Sequence, residues 1–521
     1  MDERDVCREI ISLCFSDPDP DIHRIKIAVC KKYALGTVPK HSLLLAYTSP
    51  AERETLRRLL RIKPTRTLSG VAPVAVMTSP APCPHGKCLP CPGGPDHPFQ
   101  SPQSYTGEEP AALRAREHGY DPYAQVQARL GQFEALGHAV DKAELIVMGG
   151  TITARPGEYQ EWFVTECIRA MNEYGRVPAG SHDREAEFRK NESAPVRCVA
   201  MTFETRPDWC RKPEIDRMLT LGVTKVELGV QHVDDRILTF NRRGCSVEDT
   251  VSANRLLRDA GLKVGFHVMP NLPGSTIEDD RRLFRDLFAD DRFRPDFLKI
   301  YPTLVTPGSE IEALWQQGGY SPYDEDRLIG LIAYGKSLLP PYVRLQRIQR
   351  DIPAKLIVAG SKHSNFRQLA RERLEAGGGH CRCIRCREIG RLPSGAAPEI
   401  HVDRYSACGG EEHFIAMVSG DSLIGFARLR TGGDRWQSGT AGAALLRELH
   451  VYGSIVPIGR SPDPEQRQHR RFGNQLLVAA EEAAVAAGYR RIAVMSGIGV
   501  RPWYRRHGYH REGPYMIRDL A

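Results

Sequence analysis

Short apolar runs alternate with longer amphipathic stretches along residues 71–330. The apolar runs have the length and composition of buried strands, and they lie at 71–77, 144–150, 196–203, 223–230, 263–270 and 296–302. Stretches with helical spacing, such as TVSANRLLRDAG (250–261), separate them. The pattern predicts about six βα units and a parallel sheet, that is, an α/β fold with a partial (βα)6 barrel. Functional residues are then expected at the carboxyl ends of the strands.

The pattern changes outside this region. Residues 1–70 show helical spacing of leucines with basic residues on the opposite face, and residues 331–400 are basic, with a glycine tract and a cysteine cluster. From residue 401 to 521, short strands such as FIAMVSG precede the helical run NQLLVAAEEAAVAAG, which indicates a compact α+β domain. We therefore divide the chain at 1–70, 71–330, 331–400 and 401–521.

The bulk composition is ordinary for a soluble globular protein, with 41% hydrophobic and 26% charged residues among 521. The N-terminus MDERDVCREI does not resemble a signal peptide, and no apolar run reaches the length of a membrane span. We therefore expect a soluble cytoplasmic protein. The net charge of +8 favours an acidic partner such as nucleic acid, although many basic proteins bind nothing acidic.

Six of the 14 cysteines lie in two tight clusters, which in a reducing compartment indicates metal binding rather than disulfides. Cys83, Cys88 and Cys91 follow the first predicted strand at the spacing C-x4-C-x2-C. Three such thiolates can hold three irons of a [4Fe-4S] cluster and leave one iron open to S-adenosylmethionine (SAM), whose reductive cleavage yields a 5′-deoxyadenosyl radical. A zinc loop with His85 as the fourth ligand is the alternative, but zinc sites favour pairs of CxxC and no second pair lies near.

The run RTLSGVAPVAVMTSPAPCPHGKCLPCPGG around this motif resembles the catalytic subunit of Elongator, and the chain as a whole resembles the related archaeal and bacterial tRNA uridine acetyltransferases. Further matching segments are SPQSYTGEEP, VMGGT, FETRPD, KVELGVQ, NRRG, FHVMPNLPG and KIYPTLVTPGSE. The resemblance implies a radical SAM barrel joined to a GNAT acetyltransferase domain. It implies carboxymethyl formation at C5 of the tRNA wobble uridine, with acetyl-CoA as co-substrate. It leaves open the electron donor and whether the protein is a monomer or a homodimer.

Several candidate residues lie where predicted strands end. Met148, Gly149, Gly150 and Thr151 follow the second strand, where a backbone edge with little side chain could approach the amino group of SAM. The third strand ends at the catalytic candidates Glu204 and Arg206, and the fourth carries the cofactor-binding candidates Glu227 and Gln231. Ordinary ion pairs at strand ends remain an alternative for each polar residue, but their shared location favours a SAM or substrate site.

The second cysteine cluster is the run GGGHCRCIRCREIG, with Cys381, Cys383 and Cys386. A tetrahedral zinc would take these three thiolates and one further ligand, for which the adjacent His380 is a candidate, although the ligand could come from elsewhere. A second iron-sulfur cluster is the alternative. The family resemblance implies a structural zinc in this loop.

Basic residues concentrate in two stretches that we expect to contact tRNA phosphates. The candidates are Lys26, Lys31, Lys32, Arg57, Arg58 and Arg61 in the N-terminal segment, and Arg344, Arg347, Arg350, Lys355 and Lys362 in the connecting region. A solvated helix face is the alternative. The bases of single-stranded tRNA loops can be splayed into a deep pocket, which suits a barrel.

The last domain contains a pattern similar to the CoA-binding loop of GNAT enzymes, at Gln468, His469, Arg470, Arg471, Phe472, Gly473 and Asn474. Backbone N–H groups at such a loop and at the following helix N-terminus hold a pyrophosphate. Arg471 stands where the family has its first glycine, and Trp503 where it has a tyrosine. Tyr504 is the catalytic candidate near the thioester, with core packing as its alternative. Glu448 and His450, on the preceding strand, complete the predicted acetyl-CoA site.

These observations favour a radical SAM enzyme that modifies tRNA. Two alternatives remain open. One is a protein lysine acetyltransferase with Glu448 as general base and the barrel as a scaffold. The other is a non-catalytic tRNA-binding protein with degenerate sites, suggested by Arg471, Trp503 and Cys245. The intact cysteine triad argues against loss of activity.

Overall fold

The computed structural model describes residues 3–17, 20–35, 37–39, 41–60, 67, 70–97, 100–178, 182–363, 365–453 and 471–520, without the side chains of residues 42, 50, 53, 54, 57 and 58. These residues form an N-terminal helical unit, a parallel sheet and a mixed sheet. None of the helices described combines the length and the apolar character that a membrane crossing demands.

The N-terminal unit contains α1 (Glu3–Ser16), α2 (Ile22–Lys32), α3 (His41–Ala46) and α4 (Pro50–Leu59). α1 buries Ile10 and Ile11 against Leu44 and Leu56, which gives this unit a small core of its own. The helical character predicted for this segment is confirmed.

The first sheet contains β1 (Ala72–Met77), β2 (Lys142–Met148), β3 (Arg197–Thr205), β4 (Lys225–Gln231), β5 (Lys263–Val268), β6 (Phe297–Ile300) and β7 (Arg344–Ile348). The strands lie side by side in chain order, and each neighbouring pair is parallel. Ala72 lies opposite Ala143 and Met77 opposite Met148, so β1 and β2 end at the same edge. The predicted open α/β barrel is confirmed.

Helices connect these strands and cover the outer face of the sheet: α5 (Pro110–Glu117), α6 (Pro122–Ala135), α7 (Gly157–Glu173), α8 (Arg184–Asn191), α9 (Lys212–Thr220), α10 (Asp235–Phe240), α11 (Val247–Asp259), α12 (Ile277–Ala289), α13 (Glu310–Gln316), α14 (Glu325–Ser337) and α15 (Phe366–Ala376). Strand residues alternate between two environments. On β2, Ala143, Leu145 and Val147 are buried in the apolar core, whereas the intervening residues line cavities of the barrel interior.

In the part of the chain that is described, the sheet has seven strands rather than the predicted six. The additional strand, β7, lies beyond residue 330, in the segment that the sequence pattern assigned to a connecting region. Its sequence RLQRI is polar at three of five positions because part of it faces the barrel interior. No apolar run marked it, and the barrel therefore extends further along the chain than predicted.

The second sheet contains β8 (Glu399–Ala407), β9 (Gly410–Ser419), β10 (Ser422–Gly432), β11 (Ala444–Val451), β12 (Arg491–Val494), β13 (His510–Glu512) and β14 (Tyr515–Asp519). Their order is β13-β14-β12-β11-β10-β9-β8. The short helix α16 (Ile384–Arg387) precedes this sheet, and α17 (Phe472–Ala486) and α18 (Arg501–Arg505) lie between its strands in sequence. β11 and β12 are parallel, whereas the other described pairs are antiparallel. The predicted α+β domain is confirmed.

A buried ionic cluster joins the two sheets. Asp296, just before β6, accepts hydrogen bonds of 2.8 Å from both terminal nitrogens of Arg447 on β11. Arg447 and Arg258 of α11 both pair with Glu412 of β9. These four side chains are at most 1% exposed. Because buried charges require partners, the cluster fixes the position of one sheet on the other.

Candidate active site and its two cavities

The loop after β1 carries Cys83, Cys88 and Cys91, which line a cavity of about 620 Å³ at the carboxyl edge of the first sheet. Hydrogen-bond donors surround the sulfur atoms. Gln103 Nε2 lies 2.9 Å from the Sγ of Cys91, and Arg243 Nη1 lies 3.7 Å from the Sγ of Cys88. The donors suit a site whose thiolates carry negative charge.

The separation of these three sulfurs fits an iron-sulfur cluster better than one metal ion. Ligands of a single zinc lie within about 4 Å of one another, because each Zn–S bond is about 2.3 Å. Among the described residues, the second cysteine cluster forms a group within 4.8 Å, but the three sulfurs of the β1 loop do not. Irons at the corners of a cube hold their thiolates farther apart. The residues therefore fit a [4Fe-4S] cluster.

The segment from Met148 to Thr151 lies beside the cysteine loop. Gly149 and Gly150 have φ of 119° and 89°, in the region that favours glycine. A methyl group on Gly149 would also overlap the hydroxyl of Thr78. Met148, Gly150 and Thr151 line the cavity, and the Thr151 hydroxyl lies 3.4 Å from the Sγ of Cys83. The segment therefore borders the cavity beside the cysteine loop, and its role towards SAM stays a prediction.

Ion pairs form a chain across the barrel interior. Lys225 Nζ lies 2.8 Å from Glu144 and 3.2 Å from Glu227. Lys299 pairs with Glu227 and, at 2.9 Å, with Glu204. The predicted residues Glu204 and Glu227 both line the first cavity, so the structure brings them together at the strand ends.

The carboxyl groups of Glu204 and Glu227 stay ionised despite their burial. Burial raises the pKa of Glu204 and Glu227, but Lys299 together with the other nearby basic groups outweighs it, and both pKa values lie below the usual range. The Tyr105 hydroxyl donates to Glu204 at 2.7 Å, and His267 Nε2 lies 2.9 Å from Glu227. Glu204 is thus a charged acceptor that faces the cavity.

Arg206 and Gln231 also line the first cavity. Arg206 donates to both carboxylate oxygens of Asp208, at 2.9 and 3.0 Å, and to the carbonyl of Arg243 at 2.9 Å. It thereby holds the segment that carries Arg243 against the end of β3. Gln231 ends β4 with a φ of 68°.

Sequence reasoning missed Tyr105, Arg243, His267 and Lys299, all of which line the first cavity. His267 and Lys299 interrupt the otherwise apolar runs KVGFHVMP and DFLKIYP. A polar residue inside a predicted buried strand is the signal that could have identified them, because such a residue needs a polar environment.

A second cavity, of about 920 Å³, lies between the amino-terminal part of the first sheet and the second sheet. β11 and β12 pair over residues 444–446 and 492–494, and residues 448–452, at and just after the end of β11, line the cavity. The N-terminus of α17 and the helix α18 border the gap. The first residues of α17, Phe472, Gly473 and Asn474, line this cavity.

The predicted acetyl-CoA residues come together at this second cavity. Those lining it are Glu448, His450, Arg471, Phe472, Gly473, Asn474, Trp503 and Tyr504. Gln468, His469 and Arg470 lie outside the described residues. Arg471 has a φ of 65°, the left-handed conformation that glycine adopts most readily, so its backbone makes the same kind of turn. Tyr504 is 4% exposed, and burial raises the pKa of its hydroxyl.

Positive charge dominates the second cavity. Its acids are Glu144, Glu388 and Glu448, against the basic residues Lys142, Arg197, Lys225, Lys263, Arg344, Arg385, Arg391, Arg471 and Arg506. Burial lowers the pKa of Lys263 to about 8 and that of Arg385 to about 9. A basic side chain whose pKa falls on burial lacks full compensation by anions. The cavity therefore suits an anionic ligand.

The ligand atoms of Cys381, Cys383 and Cys386 lie within 4.8 Å of one another, as a single metal ion requires. His380 is exposed and is not part of this group, so the structure does not support it as the fourth ligand. Its side chain extends into solvent because it follows the exposed glycine tract. Lys336, fully buried, and Arg367 lie near these thiols and complement negative charge there.

The basic residues of the connecting region divide into two groups. Arg347 and Arg350 line the mouth of the first cavity, and Lys355 and Lys362 are exposed. The prediction that Arg344 contacts tRNA phosphates is wrong. Arg344 is only 15% exposed and pairs with the buried Glu388, because it points from β7 towards the second cavity.

The N-terminal basic residues also differ from one another. Lys31 and Lys32 are exposed, and Lys32 pairs with Glu9 at 2.8 Å. The predicted phosphate contact of Lys26 is also wrong, because the residue is only 7% exposed and burial lowers the pKa of its ammonium group. Lys26 cannot serve as an exposed phosphate contact. Arg61 and the side chains of Arg57 and Arg58 lie outside the described part of the chain.

An open parallel barrel with a three-cysteine loop after its first strand defines a radical SAM protein. Residues 82–287 match the Radical SAM superfamily, 295–376 the Radical_SAM C-terminal domain, and 3–68 the ELP3 N-terminal domain.

Full-length relatives specify the family. The tRNA uridine(34) acetyltransferase of Methanocaldococcus infernus is 46% identical over 96% of this chain and 95% of its own length. Elongator complex protein 3 of Homo sapiens is 40% identical over 99% of this chain and 96% of its own. The solved structure of the M. infernus Elp3 with an N-terminal deletion superposes with a TM-score of 0.76 at 42% identity, covering 87% of this chain and all of that one (100%). The chain belongs to the Elongator complex protein 3 family.

Proposed function

We propose that this protein forms a carboxymethyl group at C5 of the wobble uridine of tRNA, with acetyl-CoA as the carbon source. The observation that carries the proposal is the presence of two cavities at opposite ends of one barrel, one with a three-cysteine loop and one rich in cations. The names of the relatives, tRNA uridine(34) acetyltransferases, supply the substrate class.

The first cavity is assigned to the cluster and SAM. Cys83, Cys88 and Cys91 would hold the [4Fe-4S] cluster, and the edge at Gly149 and Gly150 would receive SAM. When bound, these groups supply a 5′-deoxyadenosyl radical, which takes hydrogen from unactivated carbon. The surrounding residues come from several strand ends, so the groups that would position the substrate converge on one cavity.

The uridine is assigned to the polar part of the same cavity. A uracil ring presents one N–H between two carbonyl groups. Glu204 offers an ionised acceptor, and Lys299 and Tyr105 offer donors close beside it. A base splayed out of a single-stranded tRNA loop could exchange these internal hydrogen bonds for its own.

Acetyl-CoA is assigned to the second cavity. The phosphates of CoA carry several negative charges, which suit the basic lining, and the N-terminus of α17 offers backbone N–H groups. Tyr504, which lines this cavity, would lie near the thioester when acetyl-CoA first binds, before the acyl end enters the barrel. The lysine acetyltransferase alternative is disfavoured, because Glu448 is paired with Arg428 at 2.8 Å and is not a free base.

Two further assignments complete the proposal. Cys381, Cys383 and Cys386 would hold a structural zinc, since their ligand atoms lie as close together as one ion requires. The exposed or cavity-mouth residues Lys31, Lys32, Arg347, Arg350, Lys355 and Lys362 would contact tRNA phosphates.

The decisive experiment is anaerobic reconstitution with iron and sulfide, followed by incubation with unmodified tRNA, acetyl-CoA, SAM and a reductant. Mass spectrometry of the digested nucleosides should show a carboxymethylated uridine that requires all four additions. Cys88→Ala should abolish it, and Cys210→Ala, which alters a buried cysteine away from the cavity lining, should not. Full SAM cleavage with no new nucleoside would refute the proposed substrate.

A further inference from the structure

The two cavities share part of their lining. Pro73, Ile146 and Gln346 contribute to both. On β2, the second cavity begins at Lys142 and the first ends at Met148. At ~3.3 Å per residue, these six steps span ~20 Å. The side chains of β2 that face the barrel interior therefore line the second cavity at one end of the strand and the first cavity at the other.

The walls of this interior differ in chemistry. Pro73 and Ile146 provide an apolar surface on β1 and β2. Gln346, with its amide oriented to suit both neighbours, donates to Glu227 at 3.1 Å and accepts from Lys225 at 3.2 Å. An interior with one apolar wall and one wall of amide and ionic groups suits a narrow ligand in which methylene groups alternate with amides.

We propose that the acyl-pantetheine arm of acetyl-CoA extends from the second cavity through the barrel interior, past Ile146 and Gln346, and presents the acetyl methyl group to the first cavity. The nucleotide part of CoA stays among the basic residues. The arm has the required chemistry, since it is a chain of methylene groups interrupted by two amides and a thioester. This inference rests on the proposed function, because only that function requires the acetyl group at the radical site. It also means that the acetyl group remains attached to CoA on the way.

Alkylation of an introduced cysteine tests the route without any need for catalysis. The Ile146→Cys protein is incubated with bromoacetyl-CoA, whose methylene carbon forms a thioether with a nearby thiol as bromide leaves. Leu145→Cys is the matched control, because Leu145 is the adjacent residue and is buried in the apolar core on the other side of β2. Peptide mass spectrometry should find the adduct at residue 146 at least tenfold more than at residue 145, with protection by excess acetyl-CoA. Equal labelling at both positions, or none at 146 in a protein that binds acetyl-CoA, would overturn the route.

A larger side chain at residue 146 gives an independent test of the route. Ile146→Trp should lower the carboxymethyluridine formed per 5′-deoxyadenosine at least tenfold relative to Ile146→Val. An unchanged ratio would contradict the route. If Ile146→Trp does not fold, the cysteine experiment decides alone. If residue 146 is labelled but the unaltered protein modifies no tRNA, the proposed function fails while the route stands.

Discussion

Two residues with left-handed backbone conformation lie at the borders of the two cavities. Gly149, with a φ of 119°, shapes the edge assigned to SAM, and Arg471, with a φ of 65°, precedes the helix assigned to the CoA phosphates. At Gly149 a side chain is excluded by Thr78 as well as by the backbone angle. At Arg471 the family's glycine is replaced, and a side chain accepts the less favourable conformation next to an anion site.

Gly149→Ala should destabilise the protein by about 1–3 kcal/mol, since alanine meets both a strained φ and the Thr78 hydroxyl. SAM binding by the reconstituted protein should weaken at least fivefold. Gly131→Ala is the control, because Gly131 lies in α6 with nothing within 4 Å of the added carbon, and there alanine should stabilise by about 0.5–1 kcal/mol. Thermal unfolding and SAM titration measure both effects, and equal behaviour of the two variants would contradict the role of Gly149.

Lys263 should take up a proton when acetyl-CoA binds. Burial lowers its pKa to about 8, so at pH 8 about half of the free protein carries it neutral. An anion in the second cavity favours the charged form and raises the pKa, so protons are taken up at pH 8 and not at pH 6, where the group is already charged. Calorimetry in buffers of different ionisation enthalpy measures the uptake. The Lys263→Met protein should show none at either pH, and uptake in that variant would assign the effect to another group.

At the scale of elements, β7 shows how one strand serves two sites. Arg347 lines the mouth of the first cavity and is 43% exposed, whereas Arg344 lines the second and is held by Glu388. Gln346, between them, lines both. The strand therefore links the end assigned to tRNA with the end assigned to acetyl-CoA.

Arg347→Gln should weaken tRNA binding two- to fivefold at low salt and reduce the slope of log affinity against log salt by about one, with little loss of folding stability. Arg344→Gln should instead lower the free energy of unfolding by about 1–3 kcal/mol, because it removes one of the two arginines that pair with the buried Glu388 and leaves only Arg391. Salt-dependent binding assays and denaturant unfolding separate the two results. The assignment would be wrong if Arg344→Gln changed the salt slope and Arg347→Gln did not.

The same strand marks the limit of sequence reasoning. The apolar runs predicted six parallel strands correctly, because strands packed between a barrel interior and outer helices are mostly apolar. β7 escaped detection because Arg344, Gln346 and Arg347 occupy three of its five positions. The cysteine spacing and the glycines after β2 could be read from the chain. The ion pairs that join Lys225 to Glu144 and Lys299 to Glu204 and Glu227 could not, since these partners are separated by tens of positions and meet only when the barrel forms.

At the scale of the whole molecule, burial of charge fixes the relation of the two sheets. Asp296 accepts from Arg447, and on the same interface Asp259 of α11 accepts from Arg430 of β10 at 2.7 Å. Burial opposes the ionised form of Asp296, but Arg258 and Arg447 outweigh it and hold its pKa far below the usual value. These buried ion pairs hold the second sheet against the barrel.

Asp296→Asn should lower the free energy of unfolding by about 3–5 kcal/mol, because the buried Arg258 and Arg447 then keep only Glu412 as a shared counter-charge. The depressed pKa means that the stabilisation is fully present above about pH 4 and is lost only at lower pH, so the difference from the unaltered protein should stay constant between pH 5 and 8. Denaturant unfolding at several pH values measures it. Asp326→Asn, whose carboxylate is 74% exposed and pairs with Arg373, should cost less than about 1 kcal/mol. A difference that grows between pH 5 and 8 would contradict the assignment.

The buried ion pairs between the two sheets also limit where the polypeptide can be cut and which parts of its gene can be exchanged. A break near residue 400 would produce one fragment with Asp259 and Asp296 facing water and another with Arg430 and Arg447 facing water. Each fragment would keep only part of the pairing that its buried charges require, since Arg258 stays with Asp296 and Glu412 stays with Arg447, so we expect the two fragments to be stable only together. A gene that exchanged the part encoding the second sheet for an unrelated one would have to replace Arg430, Arg447 and Glu412 in the same step.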